Sequence, residues 1–109
     1  MIPVRYGIYL AGLDPTIGGE MAKTRPVVVV SQDAMNRHLE TIVVCPLTTK
    51  LHPAWRSRVQ IRCAGKPAEI AVDQIRTISK VRLIRRLDVL AATEAGKVRQ
   101  AIVEMYGTI

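Results

Sequence analysis

Apolar residues in this chain come in short runs divided by polar, glycine- or proline-containing segments, and their spacing predicts strands. Residues 4–12, VRYGIYLAG, read as a strand with Ile8 and Leu10 on one side and Tyr9 and Ala11 on the other. Residues 26–30 and 41–47 are dominated by β-branched side chains, which suit a pleated surface. The run from Val27 to Val30 has no polar alternation, as expected of a strand buried on both faces. Between these runs lies the polar segment 31–40, where Asp33 is expected to cap one short helical turn over residues 34–36. Residues 58–62, RVQIR, alternate, with Val59 and Ile61 inward; Gly65-Lys66-Pro67 reads as a turn, and residues 68–72, AEIAV, as another short strand. Residues 73–83 mix strand periodicity with Arg76, Lys80 and Arg82, and Arg85 and Arg86 prolong this basic stripe, by default a solvated face.

Near the end the period changes. Ala95, Val98, Ala101, Ile102 and Met105 follow helical spacing, with Tyr106 completing the stripe. Thr93 is the expected N-cap and Gly107 the expected stop. Residues 1–109 therefore form one domain, mainly β with a C-terminal helix, built as a small SH3-like antiparallel barrel.

The two β-branched runs have a chemical consequence. Neighbouring strands joined by a short connection usually pair antiparallel, which sets the start of the first beside the end of the second. Arg25 stands at that start and Thr48 at that end, so a cation and a hydroxyl meet at the open end of a hairpin. A long loop, residues 13–24, leads into Arg25 and carries Asp14-Pro15 and Gly18-Gly19 as turn signals. It reads either as a mobile surface loop or as a flap over the Arg25 end. It is not a Walker loop, because Gly19 is followed by Glu20 and Met21 where that motif needs Lys-Ser/Thr. After Thr48, Lys50, His52, Arg56 and Arg58 surround the single Trp55. Basic groups around a ring suit single-stranded nucleic acid; a ring covering a core edge is the other reading.

Composition sharpens the choice of partner. The 109 residues carry a net charge of +7, and the pI is near 10.0, which favours an anionic partner such as nucleic acid, an acidic protein or an anionic membrane. Cys45 lies in an apolar strand and reads as a small hydrophobe; with Cys63, His38 and His52 it matches no common zinc spacing. No cofactor or metal is expected. The N-terminus lacks a signal-peptide pattern and no apolar run reaches the ~20 residues of a membrane span, so a cytoplasmic, reduced protein is expected.

Four segments in order, YLAGLDPTIGGE, TRPVVVVSQDAMN, TIVVCPLTTK and VDQIRTISKVRL, resemble the MazF/PemK family of toxins from bacterial toxin–antitoxin pairs. The resemblance runs from Tyr9 to about Leu83, with a similar helix beyond. It implies an SH3-like barrel, a homodimer, a metal-independent endoribonuclease acting on single-stranded RNA, and an acidic antitoxin. It also implies that Arg25 and Thr48 are the catalytic pair and that the loop over residues 14–23 borders the active site. Around them Gly18, Gly19, Glu20, Lys23, Thr49, Lys50, Trp55, Asp73, Gln74 and Arg76 are expected to contact RNA. The chain departs from the family pattern in three places. No acidic residue follows Arg5-Tyr6-Gly7, Gly19 stands where Ser or His is common, and Ala71 stands where some members carry an arginine two residues before the aspartate matching Asp73.

The expected chemistry needs no protein nucleophile. The 2′-OH of a nucleotide attacks its own 3′ phosphate, leaving a 2′,3′-cyclic phosphate and a 5′-OH. Arg25 meets the charge gathering on the phosphate oxygens, and Thr48 positions the reacting groups. Asp73 and Glu20, and more weakly His38 and His52, are the candidate general bases. The antitoxin is expected to lie across a basic groove near Lys23, Lys50 and Arg76. The alternatives are non-enzymatic: a barrel that poisons DNA gyrase by binding, or one that coats RNA.

Overall fold

The computed structural model describes residues 1–107. Among them are seven strands, β1 (Gly7–Gly12), β2 (Thr24–Val29), β3 (Thr41–Thr48), β4 (Arg58–Cys63), β5 (Lys66–Ala71), β6 (Arg76–Ser79) and β7 (Leu83–Val89). A short helix α1 (Asp33–His38) lies between β2 and β3, and α2 (Ala92–Ile102) follows β7. Every pairing is antiparallel, the order along the sheet is β4-β5-β3-β2-β1-β7, and β6 adds to β3 beside it. The sheet curls into the open barrel expected of a mainly β chain with a C-terminal helix. No helix among the described residues is long and apolar enough to cross a membrane.

The uninterrupted valines of β2 divide between two cores. Val28 and Val30 pack with Ile8, Leu47, Ile70 and the α2 residues Ala95, Val98 and Ala101. Val27 and Val29 pack on the opposite face with Tyr9, Ala11, Ile42, Val44 and Ile78. Alternate side chains of one strand thus enter different clusters, which is why the run shows no polar period. Burial at ~1.5–3 kcal/mol per large aliphatic makes β2 and β3 the rigid centre on which the hairpin end is mounted.

Pro46 sits inside the central strand β3 and is tolerated for a topological reason. Residues Thr41 to Val44 pair with β6, whereas Leu47 and Thr48 pair with β5. Pro46 falls between the two ladders, where its missing N–H costs no strand bond, and the 3₁₀ turn Val72–Gln74 bridges β5 to β6 at that break.

Several local expectations are corrected. The β4–β5 turn is Ala64-Gly65, both with positive φ (51° and 78°), and Lys66 and Pro67 already belong to β5, opposite Cys63 and Arg62. Asp33 does not cap α1: Gln32 is the N-cap, and the Asp33 carboxylate accepts instead from the Arg5 amide at 2.8 Å. Helix α2 starts at Ala92 with Ala91 as N-cap, and Glu94, at the third helical position, accepts from the Ala91 amide at 2.9 Å. Thr93 is therefore inside the first turn. The winding continues through a π-type turn, Val103–Gly107, as far as the expected stop. The basic stripe around Arg85 and Arg86 is an edge strand, β7, paired with β1.

Candidate active site

Residues Val27, Val28 and Val29 of β2 face Pro46, Cys45 and Val44 of β3. Followed two residues outward, that register brings Arg25 level with Thr48. The guanidinium is fixed by its own scaffold: Nε donates to the Ala22 carbonyl at 3.0 Å and Nη1 to the Leu47 carbonyl at 3.2 Å. Its Nη2 group has no protein acceptor among the described residues. Thr48 Oγ1 accepts from the Lys50 amide at 3.1 Å, which fixes the side chain and leaves the hydroxyl hydrogen to donate elsewhere. Arg25, Thr48 and Thr49 line one cavity of about 380 Å³ together with Cys63, Lys66 and Pro67. A tethered guanidinium, a hydroxyl and an ammonium in an open cleft form an anion site of phosphate-like character.

A second cavity, of about 390 Å³, takes in Gly19, Glu20, Asp73, Gln74 and Arg76. Pro46 lines it, whereas the next residues of β3 line the first. The expected contact residues thus divide between two cavities. Gly18, Lys23, Lys50 and Trp55 are exposed and line neither cavity.

The loop over residues 13–24 is tied down on several sides. The Lys23 amide donates to Asp14 Oδ1 at 3.1 Å, and the Leu13 amide to the Lys23 carbonyl at 3.0 Å. Arg82 donates to the carbonyls of Gly12 and Asp14, and Arg76 to that of Leu13. Gln74 clasps the far side: its Oε1 accepts from the Met21 amide at 2.7 Å and its Nε2 donates to the Gly19 carbonyl at 3.3 Å. In this arrangement both polar ends of Gln74 are engaged by the loop.

Between the loop over residues 49–57 and the sheet is an ion network that the residue pattern did not announce. Arg58, with only 7% of its side chain exposed, donates from Nη1 to Glu69 Oε2 at 2.7 Å and from Nε to Asp73 Oδ1 at 2.8 Å. Glu69 is fully buried, and its other oxygen accepts from Gln60 Nε2 at 2.7 Å and from the His52 amide. Burial alone would raise the carboxyls of Glu69 and Asp73, but these donors outweigh it and hold both below their ordinary range. For Arg58, burial works against the charge and the two carboxylates more than restore it. Arg58 is the cross-strand partner of Ala71, so its guanidinium reaches Asp73 from β4, although β5 has no arginine at that position. In the sequence Arg58 read as a basic neighbour of Trp55 suited to nucleic acid, and nothing linked it to carboxylates 11 and 15 residues away.

This network bears on the proposed bases. Asp73 is engaged by a buried cation and is a weakened base. Glu20 accepts from the Ile17 amide at 2.8 Å beside the second cavity. His38 lies in a groove with Arg37, Ser79 and Lys80, away from Arg25. His52 stacks on Trp55, ring centroids 3.8 Å apart, and the Arg58 guanidinium lies 4.7 Å from the Trp55 ring centre. Trp55, 49% exposed, is therefore neither a core cover nor a bare stacking surface. Cys45 is buried, and burial pushes its thiol up to about 12, the behaviour of an inert small hydrophobe. Cys63, on the cleft wall, is also raised, by partial burial and then by nearby Asp88 and Glu94.

Comparison with known proteins gives the family. A family model described as PemK-like, MazF-like toxin of type II toxin-antitoxin system matches residues 4–106. The chain is 33% identical over 103 residues to Endoribonuclease MazF of Staphylococcus saprophyticus, covering 90% of this chain and 86% of that protein. A crystal structure of MazF from Deinococcus radiodurans superposes with a TM-score of 0.87 at 21% identity, covering 99% of both chains. An endoribonuclease from a mycobacterial species, solved with its cognate antitoxin, gives 0.79 at 23% identity over 99% of this chain and 96% of that one. The match across almost every described residue shows that the chain belongs to the PemK-like, MazF-like toxins of type II toxin–antitoxin systems.

Proposed function

We propose that this toxin is an endoribonuclease that cuts single-stranded RNA at short sequences without a metal ion, with the Arg25–Thr48 cleft as its reaction centre. The observation that carries this reading is the junction of β2 and β3, where a tethered guanidinium and a fixed hydroxyl share one open cavity with Lys66. Family membership and the name of the staphylococcal relative support the activity.

In the proposed reaction the 2′-oxygen forms a bond to phosphorus, the bond from phosphorus to the 5′-oxygen breaks, and a proton passes from the 2′-OH to a base while another reaches the leaving oxygen. Charge builds on the non-bridging oxygens. Arg25 is suited to meet it, since it cannot lose its charge near neutral pH and its backbone tethers remove the cost of orienting it. Thr48 is a poor base at that pH, and its fixed oxygen suits hydrogen bonding and alignment. Lys66 adds a second cation. The toxin acts as a homodimer, and an acidic antitoxin segment blocks the basic cleft; a mycobacterial relative was solved with its own antitoxin. Incubation with a long single-stranded RNA in excess EDTA tests the reading: cuts ending in cyclic phosphate and 5′-OH support it, and loss of cutting under chelation overturns the metal-free step.

A further inference from the structure

Arg58 ties together two segments that are distant in sequence. Toward the second loop it holds Glu69, which accepts from the His52 amide and is the direct cross-strand partner of Thr48. Toward the first loop it holds Asp73, whose neighbour Gln74 clasps Met21 and Gly19. The carbonyl of Ser57, just before Arg58, accepts from the Val72 amide at 3.0 Å. The connection is therefore continuous from residues 19–21, through the 3₁₀ turn and the guanidinium, to the segment that follows Thr48.

We propose that Arg58 is a positioning residue that couples the loop over residues 13–24 to the loop over residues 49–57, so that both hold one arrangement around the Arg25–Thr48 cleft. Its side chain is too buried to meet RNA, so it acts through the groups it orients. A planar fork is required: Nε and Nη1 serve two carboxylates at once, in directions that a single ammonium cannot reproduce. The kinetic consequence rests on the ribonuclease reading of the cleft; the coupling of the loops does not.

The test compares the full-length protein with Arg58→Gln, Arg58→Lys, Asp73→Asn and Gln74→Ala, using amide hydrogen exchange and steady-state cleavage of a defined RNA. Arg62→Gln, an exposed arginine on the same strand, is the control for lost charge. Arg58→Gln should speed exchange in both loops by roughly tenfold or more and lower kcat on the order of 10²-fold with little change in KM, the cost of slight misplacement at a reacting centre. Arg58→Lys should keep the charge without restoring the rate. If Arg58→Gln fails to fold, Asp73→Asn and Gln74→Ala carry the test: each should speed exchange in 13–24 and, through Arg58, in 49–57 as well, and loosening confined to 13–24 would overturn the coupling. Unchanged exchange in either loop of folded Arg58→Gln, or full rescue by lysine, would overturn the coupling. Absence of cleavage by the wild-type protein would instead strike the ribonuclease reading, leaving the exchange data to judge the coupling alone.

Discussion

Arg25 on β2 donates from Nη1 to the backbone carbonyl of Leu47 on β3 at 3.2 Å, and the next residue along β3 is Thr48. One hydrogen bond across the ladder thus fixes the guanidinium relative to the hydroxyl. Replacing Thr48 by Val keeps the shape and removes both the donor and the acceptor for the Lys50 amide. Thr48→Val should lower kcat on the order of 10²-fold, the usual effect of removing one transition-state donor, while Thr48→Ser should retain most of the rate. Steady-state kinetics on a short RNA, with circular dichroism to confirm folding, checks both.

Lys66 lines the same cavity as the pair and was read from the sequence as a turn residue. If it meets phosphate, Lys66→Ala should weaken binding of an uncleavable 2′-deoxy analogue. It should also make the slope of log affinity against log salt shallower by ~0.7, the value for one single-strand phosphate contact. An unchanged slope would remove Lys66 from the binding surface.

Glu69 is fully buried and satisfies Arg58, Gln60 and the His52 amide together. Glu69→Ala leaves a buried cation short of one partner and two donors unpaired. It should destabilise the fold by ~3 kcal/mol or more, measured by urea unfolding, whereas loss of an exposed ion pair costs well under half of that.

The same carboxylates set the acid limit. Glu69 and Asp73 are held below their ordinary values of 4.5 and 3.8, because hydrogen bonds and Arg58 outweigh burial. The unfolded chain therefore takes up these protons first as pH falls. Their stabilisation is complete above those ordinary values, declines as pH drops through them, and is lost below the lowered folded-state values. Urea midpoints recorded from pH 7 to pH 2 should show this loss in the wild type and a shallower one in Glu69→Gln.

The hairpin was legible because pairing in an antiparallel ladder follows from the order of the strands, and the two β-branched runs announce themselves. Strand β7 was not, since Arg85 and Arg86 are exposed on a sheet edge and no apolar alternation marks them. The cap of α2 was misplaced at Thr93 because a hydroxyl is the common signal; the better clue was Glu94, whose carboxylate folds back on the Ala91 amide. Arg58 was legible only as one of the basic groups around Trp55, and its carboxylate partners were hidden for a different reason. Its partners are brought to it by the β4–β5 register and the following 3₁₀ turn, and neither can be read from residue types alone. The flap, likewise, drew attention by its glycines, whereas the residue that clasps it is Gln74, more than fifty residues on.

The proposed ribonuclease reading rests most heavily on Arg25 in its β2–β3 cleft and on cleavage without a metal ion. The most direct measurement is cleavage of one long single-stranded RNA in excess EDTA by the wild-type protein and by folded Arg25→Ala, with the ends mapped and chemically identified. Site-specific cuts bearing 2′,3′-cyclic phosphate and 5′-OH ends are expected for the wild type, and a rate lower on the order of 10³-fold for Arg25→Ala. Equal cleavage by the two proteins, or no cleavage by either, would contradict it.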